Sequence, residues 1–173
     1  MATSIIKTDE LRLLNDQVVM SDGALTENVT FPAGHVIQTF VEIDGIVTST
    51  DTTTYVTPFT GIDITMIGNN KVLVMVFFSG FATASTSARA YFRLAQTLGG
   101  STTHYPLARD VGYSVTDIRM PVSMAYQTGL LSSGATYTFN VEFQSVSSSG
   151  TVVVNNPYDG AGYSTLVVQE IKV

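Results

Sequence analysis

The residues best suited to acid–base or metal chemistry in this 173-residue chain are its two histidines, His35 and His104. A zinc site draws several His, Cys or carboxylate ligands from short spacings. Neither histidine has a second one nearby, and the chain contains no cysteine. Both therefore read as surface or turn histidines. The nucleophile-elbow pattern Gly-x-Ser-x-Gly is absent, as are a phosphate-cradling Gly-x-x-x-x-Gly-Lys and a His-Glu-x-x-His pair. Fourteen acids could in principle supply the two carboxylates of a glycoside hydrolase. Asp63, Asp110 and Glu142 fall where turns and polar strand faces are expected, so they read as solvated acids. Asp159-Gly160-Ala161-Gly162 offers one acid, too few ligands for calcium, and reads as a tight turn. No catalytic residue, metal or cofactor is expected. Asn28-Val29-Thr30 fits the N-glycosylation pattern, which three residues also meet by chance.

What remains is recognition. Tyr105 follows His104, Tyr113 lies just after Arg109 and Asp110, and Tyr158 precedes Asp159. An aromatic face beside a hydrogen-bonding group can stack on sugar rings or grip a protein surface. His104, Tyr105, Arg109, Tyr113, Tyr158 and Asp159 are thus the candidate contact residues, on expected loops. Ordinary packing at strand edges is the alternative for each tyrosine.

The bulk composition agrees with binding more than with catalysis. Only 13% of residues are charged, about half the usual share of a soluble domain. Eight Tyr and nine Phe provide a core that a disordered chain would lack. Ser and Thr supply the polar half of the pattern, which suits a protein packed against neighbours or living outside a cell. The net charge is −6, and the eight basic residues are scattered. Nucleic acid, which requires clustered cations to displace counterions, is not an expected partner. The opening residues lack a basic region followed by an apolar run, so a signal peptide is not expected. The longest apolar run, Val72 to Phe78, is too short to cross a membrane as a helix.

The elements that must position the contact residues read as strands. Ile62, Ile64 and Met66 alternate with polar residues, as do Tyr137, Phe139, Val141 and Phe143, and Ile118 through Tyr126. Period-two alternation sends one set to a core and the other to solvent. Val72–Phe78 is apolar on both faces, which predicts a central strand or one lying against another subunit. Further strands are expected near Val36–Ile43, Ala90–Leu94, Val111–Val115, Thr151–Val154 and Ser164–Val173. Turn signals stand at Ser132-Ser133-Gly134, Ser147-Ser148-Ser149-Gly150 and Asn156 to Gly160. The expectation is an all-β, antiparallel β-sandwich over residues 31–173, jelly-roll-like, with about eight strands. An immunoglobulin-like sandwich is the second choice.

Residues 1–30 form a separate short N-terminal arm with sparse apolar positions, joined near Phe31-Pro32-Ala33-Gly34. Leu11 to Met20 reads as strand, tight turn, strand, although Leu11, Leu14 and Val18 also share a helical face. So short a segment buries too little to stand alone. Ile5, Ile6, Leu11, Leu13 and Val18 are its candidate anchoring residues.

Several segments, in order, resemble a β-rich knob module of virion proteins of tailed bacteriophages, especially tail-fibre-like and head-fibre-like ones. They are Ser4-Ile5-Ile6-Lys7-Thr8-Asp9-Glu10-Leu11, Phe31 to Gln38, the Thr-rich stretch Thr48 to Thr54, Gly61 to Thr65, Asn70 to Val76, Ala90-Tyr91-Phe92-Arg93-Leu94 and Ser164 to Ile171. The resemblance covers most of residues 31–173. It implies a homotrimer on the surface of a virus particle that binds a host-surface glycan or protein through the contact residues above. A capsid decoration or head fibre anchored by residues 1–30 is the alternative, because a long shaft is missing. A carbohydrate-binding or carbohydrate-active jelly roll is a third reading.

Overall fold

A computed structural model describes residues 10–12, 18–21, 24–25, 32–83, 88–111, 120–146, 150–155 and 163–173. Among these residues every regular element is a strand. The chain divides into two compact units, Met1–Ala33 and Gly34–Val173. The first holds three antiparallel strands, β1 (Glu10–Arg12), β2 (Val18–Ser21) and β3 (Ala24–Leu25), in that order. Leu11 pairs with Met20 across β1 and β2, so both ends of the segment from Leu11 to Met20 are strand and not helix, and the turn expected between them lies outside the described residues.

The described residues of the second unit form ten strands: β4 (Val36–Asp44), β5 (Thr48–Thr50), β6 (Ile62–Thr65), β7 (Lys71–Thr83), β8 (Ala90–Leu98), β9 (Ser101–Val111), β10 (Met120–Gln127), β11 (Thr136–Ser145), β12 (Val152–Val154) and β13 (Ser164–Ile171). A six-stranded sheet runs β4-β13-β7-β12-β5, with β10 on the other edge of β7. A four-stranded sheet runs β6-β11-β8-β9. All pairings are antiparallel. Without the short β5 and β12, each sheet keeps four strands, and the chain passes between them at almost every connection. That is jelly-roll order. β12 falls where a strand is expected near Thr151–Val154, so the excess over the eight expected is β5 and β9. Thr48-Ser49-Thr50 is too polar to signal a strand, yet it pairs with Val154, Val153 and Val152.

Alternation decides which side of each strand is buried. On β11, Tyr137, Phe139, Val141 and Phe143 point inward and are almost fully buried. On β7, Val72, Val74, Val76 and Phe78 do the same. Four phenylalanines join the sheets in a relay: Phe59 to Phe78 (5.9 Å), Phe78 to Phe92 (5.5 Å) and Phe92 to Phe143 (5.9 Å). Each such ring adds roughly 0.5–1.5 kcal/mol of pair energy to its area burial.

Three of the candidate contact residues stand elsewhere than expected. His104, Tyr105 and Arg109 do not sit on a loop; they lie within β9. The cause is Gly99-Gly100, with φ of +56° and +82°. That is the left-handed pair a two-residue hairpin needs, and Leu98 pairs with Ser101 across it. Pro106 is tolerated because β9 is the outer edge of its sheet. Val111 closes β9, and the rest of the expected strand Val111–Val115 lies outside the described residues.

Candidate functional site

Glu42, Glu170 and Asp63 are taken up in holding the fold. Glu170 occupies an inward phase of β13, after Leu166 and Val168, and is fully buried. It accepts hydrogen bonds from the Asn70 side-chain amide (2.6 Å), the Gln38 amide (2.6 Å), and the backbone N–H groups of Ile67 (3.2 Å) and Gly68 (3.1 Å). Glu42 on β4 accepts from the Thr60 N–H (2.7 Å), the Thr60 hydroxyl (2.6 Å) and the Gly61 N–H (3.0 Å). Gln38 also donates to the Thr65 carbonyl at 2.8 Å. The β4–β13 side of one sheet is thereby tied to both ends of β6 in the other. These contacts satisfy backbone donors that would otherwise be orphaned in the loops. Asp63 accepts from the Thr138 hydroxyl at 2.6 Å. Among the described residues no cluster of three metal-ligating side chains occurs.

The opposite side of the sandwich is joined by apolar contact. Tyr105 on β9 and Tyr126 on β10 stack with ring centroids 4.8 Å apart. Tyr105 is partly buried against the core, and so is Tyr126. The Tyr126 hydroxyl has its pKa raised above the ordinary 10.0, first by burial and then by the neighbouring Tyr105. Of the candidate contact residues, Tyr105 thus follows the packing alternative. Sequence alone could have hinted at this, because Tyr105 and Leu107 share one phase of β9.

His104 points the other way, to the outer face of the four-stranded sheet. There it meets a polar cluster. The Arg93 Nε donates to Glu142 at 2.5 Å, and His104 Nε2 stands 3.5 Å from the same carboxylate. The Arg93 guanidinium lies over the Tyr55 ring at 3.5 Å. Tyr55 is brought there by the two 2.9 Å backbone bonds between Val56 and Phe143. Thr97 with Thr102 (2.8 Å) and Thr65 with Thr136 (2.8 Å) complete a hydroxyl-rich face. Arg93 and Tyr55 are not among the expected contact residues, and Glu142 is expected only as a solvated acid on a polar strand face, although Arg93 and Glu142 share the outward phase of two alternating strands. Arg109 lies on β9, with its side chain outside the described set. Tyr113, Tyr158, Asp159, Ile5, Ile6, Leu13 and the Asn28 sequon lie outside the described residues altogether. Leu11 and Val18 fall on β1 and β2.

The outer face of the six-stranded sheet has the opposite chemistry. Register aligns Val41, Val167, Met75 and Ala125 in one row across β4, β13, β7 and β10. The next row is Ile43, Thr165, Phe77 and Ser123. Val41, Ile43 and Phe77 are 55%, 63% and 48% exposed. A shallow hollow of about 280 Å³ is lined by Met75, Phe77, Ser123, Met124 and Ala125. Exposed apolar residues scattered singly need no explanation, but a contiguous patch marks an interaction surface.

The molecule is therefore a jelly-roll sandwich whose candidate sites are two sheet faces, one polar and one apolar. No protein-family model and no curated protein matches the chain. Solved structures do. The chain is similar to VP2 of the infectious bursal disease virus subviral particle at a TM-score of 0.50 and 14% identity. That likeness covers 87% of this chain and 42% of VP2, so this chain spans well under half of its neighbour's length. The Gx strain of the same virus is similar at 0.49 and 13% identity, covering 94% of this chain and 41% of that one. Eiger TNF from S. frugiperda is similar at 0.39 and 11% identity, covering 78% and 91%. The likeness to VP2 supports the sandwich fold.

Proposed function

We propose that this chain is a non-enzymatic structural protein of a virus particle, a self-assembling β knob exposed on the particle surface. The observation that carries the reading is the jelly-roll sandwich shared with VP2 of a subviral particle. The site chemistry supports it. Glu42, Glu170 and Asp63 are spent on hydrogen bonds that hold loops and strands, while two broad sheet faces remain for contact. Fold alone hosts many functions, so the two faces add support that topology by itself does not give.

Within this reading the knob is a homotrimer on a tailed-phage particle, and it recognises a host-surface glycan or protein. The hydroxyl-rich face around Tyr55, Arg93 and His104 suits such a polar ligand, with Arg93 held in place by Glu142 and Tyr55. Capsid decoration is the second reading, and the likeness to a particle-forming VP2 favours it over a fibre.

The test is direct. Purified particles of the encoding virus, labelled with antibody to the chain and viewed by electron microscopy, should show it on their surface. Particles without the chain would end the virion reading. Saturating free protein should slow adsorption to host cells if the chain is a receptor-binding knob. Unchanged adsorption by particles that carry the label would leave decoration in its place.

A further inference from the structure

We infer that the outer face of the six-stranded sheet is where one copy of this chain packs against another, an inference that rests on the self-assembling reading above. Three observations lead there. First, the face is apolar across its width. Val41, Ile43, Met75, Phe77 and Val167 lie in adjacent rows with Thr, Ser, Ala and Gln between them. Lys71 stands at one end, opposite Ile171. Leu73 pairs with Gln169 and Gln127, so the row next to that end is already uncharged.

Second, the charge distribution selects the occupant. The chain carries −6, so two copies repel one another wherever their acids meet. The inward phase of β4 and β13 takes Glu42 and Glu170 out of this face. A second copy can approach through these rows without setting acid against acid. A partner that recognises charge finds little to hold here, whereas an identical uncharged face is self-complementary.

Third, the area suffices. Four strands spaced about 4.8 Å apart, each rising about 3.3 Å per residue over roughly eight residues, span about 500 Å² in projection. Counted on both partners, this reaches the threshold of about 1,000 Å² at which a specific interface becomes credible. The hollow beside Phe77 and Met124 gives the face relief into which a facing side chain can insert.

The chain has no cysteine, so single-cysteine variants report on this face without background. Val167→Cys, at the centre of the face, should give a covalent dimer with a short bis-maleimide. Thr102→Cys, exposed on the other sheet, should label but not cross-link. Val167→Glu, with its circular dichroism and melt retained, should weaken self-association at least about 100-fold, because the new charge is buried unpaired. Light scattering and sedimentation of the full chain read this out. If wild-type protein is oligomeric, Val167→Glu keeps the same mass, and only Thr102→Cys cross-links, this face is not the contact and self-assembly stands. If Val167→Glu fails to fold, cross-linking at Val167→Cys decides alone. A wild-type chain that stays monomeric over the whole concentration range overturns both this inference and the self-assembling reading.

Discussion

The two outer faces of the sandwich are built by the same alternation and have reached opposite chemistry. On the four-stranded sheet the outward positions bond across strands in pairs, Arg93 to Glu142, Thr97 to Thr102 and Thr138 to Asp63, with His104 beside Glu142. On the six-stranded sheet the outward positions carry Val41, Ile43, Met75, Phe77 and Val167, which have nothing to bond. An antiparallel sheet needs only one packed face, so its other side can be chosen freely. A polar face exchanges bonds to water for bonds to itself at little net gain. An apolar face left bare forgoes about 25 cal/mol for every Å² that a partner could cover. The first face is finished within the chain, and the second is completed by contact.

The most forceful way to break this comparison is to move a charge by one residue on β7. Val74 is 2% exposed and faces the Phe78 and Phe92 relay, whereas Met75 faces outward. Val74→Glu should abolish folding, because an unpaired buried charge costs more than the roughly 5–15 kcal/mol that holds a domain together. Met75→Glu should leave a cooperative melt and lower self-association instead. Thermal denaturation of the two variants side by side checks this. If both unfold, the outward face belongs to a core and not to an interface.

Next in size is the tie that fixes the two sheets at the β4–β13 side. Glu170→Ala removes the acceptor of four donors at once. Two or more of them stay buried without a partner, so a loss of about 3–5 kcal/mol is expected. Glu170→Gln keeps an acceptor and should cost less. Urea denaturation ranks the three proteins. Equal midpoints for Glu170→Ala and the wild type would show that the loop from Ile67 to Asn70 does not depend on this carboxylate.

Much of this arrangement is legible in the sequence, and the misses have physical causes. Tyr137, Phe139, Val141 and Phe143 alternate without interruption, so β11 announces itself. Ser101-Thr102-Thr103-His104-Tyr105-Pro106 does not, because its inward positions are only partly buried at a sheet edge and Pro106 argues against a strand. Gly99-Gly100 was the available signal for β9. Glu170 hides in plain alternation. Leu166 and Val168 set an inward phase that places a carboxylate in the core, but alternation does not say which donors await it. Those donors come from Gln38, Ile67, Gly68 and Asn70, about a hundred residues or more away in the chain, and only the closed sandwich brings them together. The apolar outer face was foreshadowed by Val72–Phe78, whose second apolar side leaves Phe77 48% exposed.

A smaller effect sharpens the comparison at the β9–β10 side, where Tyr105 and Tyr126 replace the carboxylate tie with stacking. A double-mutant cycle on Tyr105→Leu and Tyr126→Leu should give a coupling of about 0.5–1.5 kcal/mol. The pair also sets a pH dependence. The Tyr126 pKa is raised in the folded chain, so folding favours its neutral form. This contribution is fully present below the ordinary value of 10.0 and is lost as pH rises through the folded value. Tyr126→Phe should therefore flatten the fall in melting temperature above pH 10. A slope unchanged by that substitution would assign the alkaline loss to other tyrosines.

The smallest effect belongs to the polar face, and its smallness is what the comparison requires. Arg93 and Glu142 are 26% and 18% exposed along their side chains, and His104 is 37% exposed beside them. Partly exposed pairs of this kind contribute about 0.2–1 kcal/mol, and salt screens them. The double variant Arg93→Met with Glu142→Leu should shift the melt by no more than a few degrees, and raising the salt should shrink the difference further. Self-association should be unchanged, since this face turns away from the apolar one. If the polar cluster serves a ligand, these substitutions should instead reduce attachment to host cells while mass and melt stay almost constant. A large loss of stability would mean that Arg93, Tyr55 and Glu142 hold the fold, and that the polar face is structural after all.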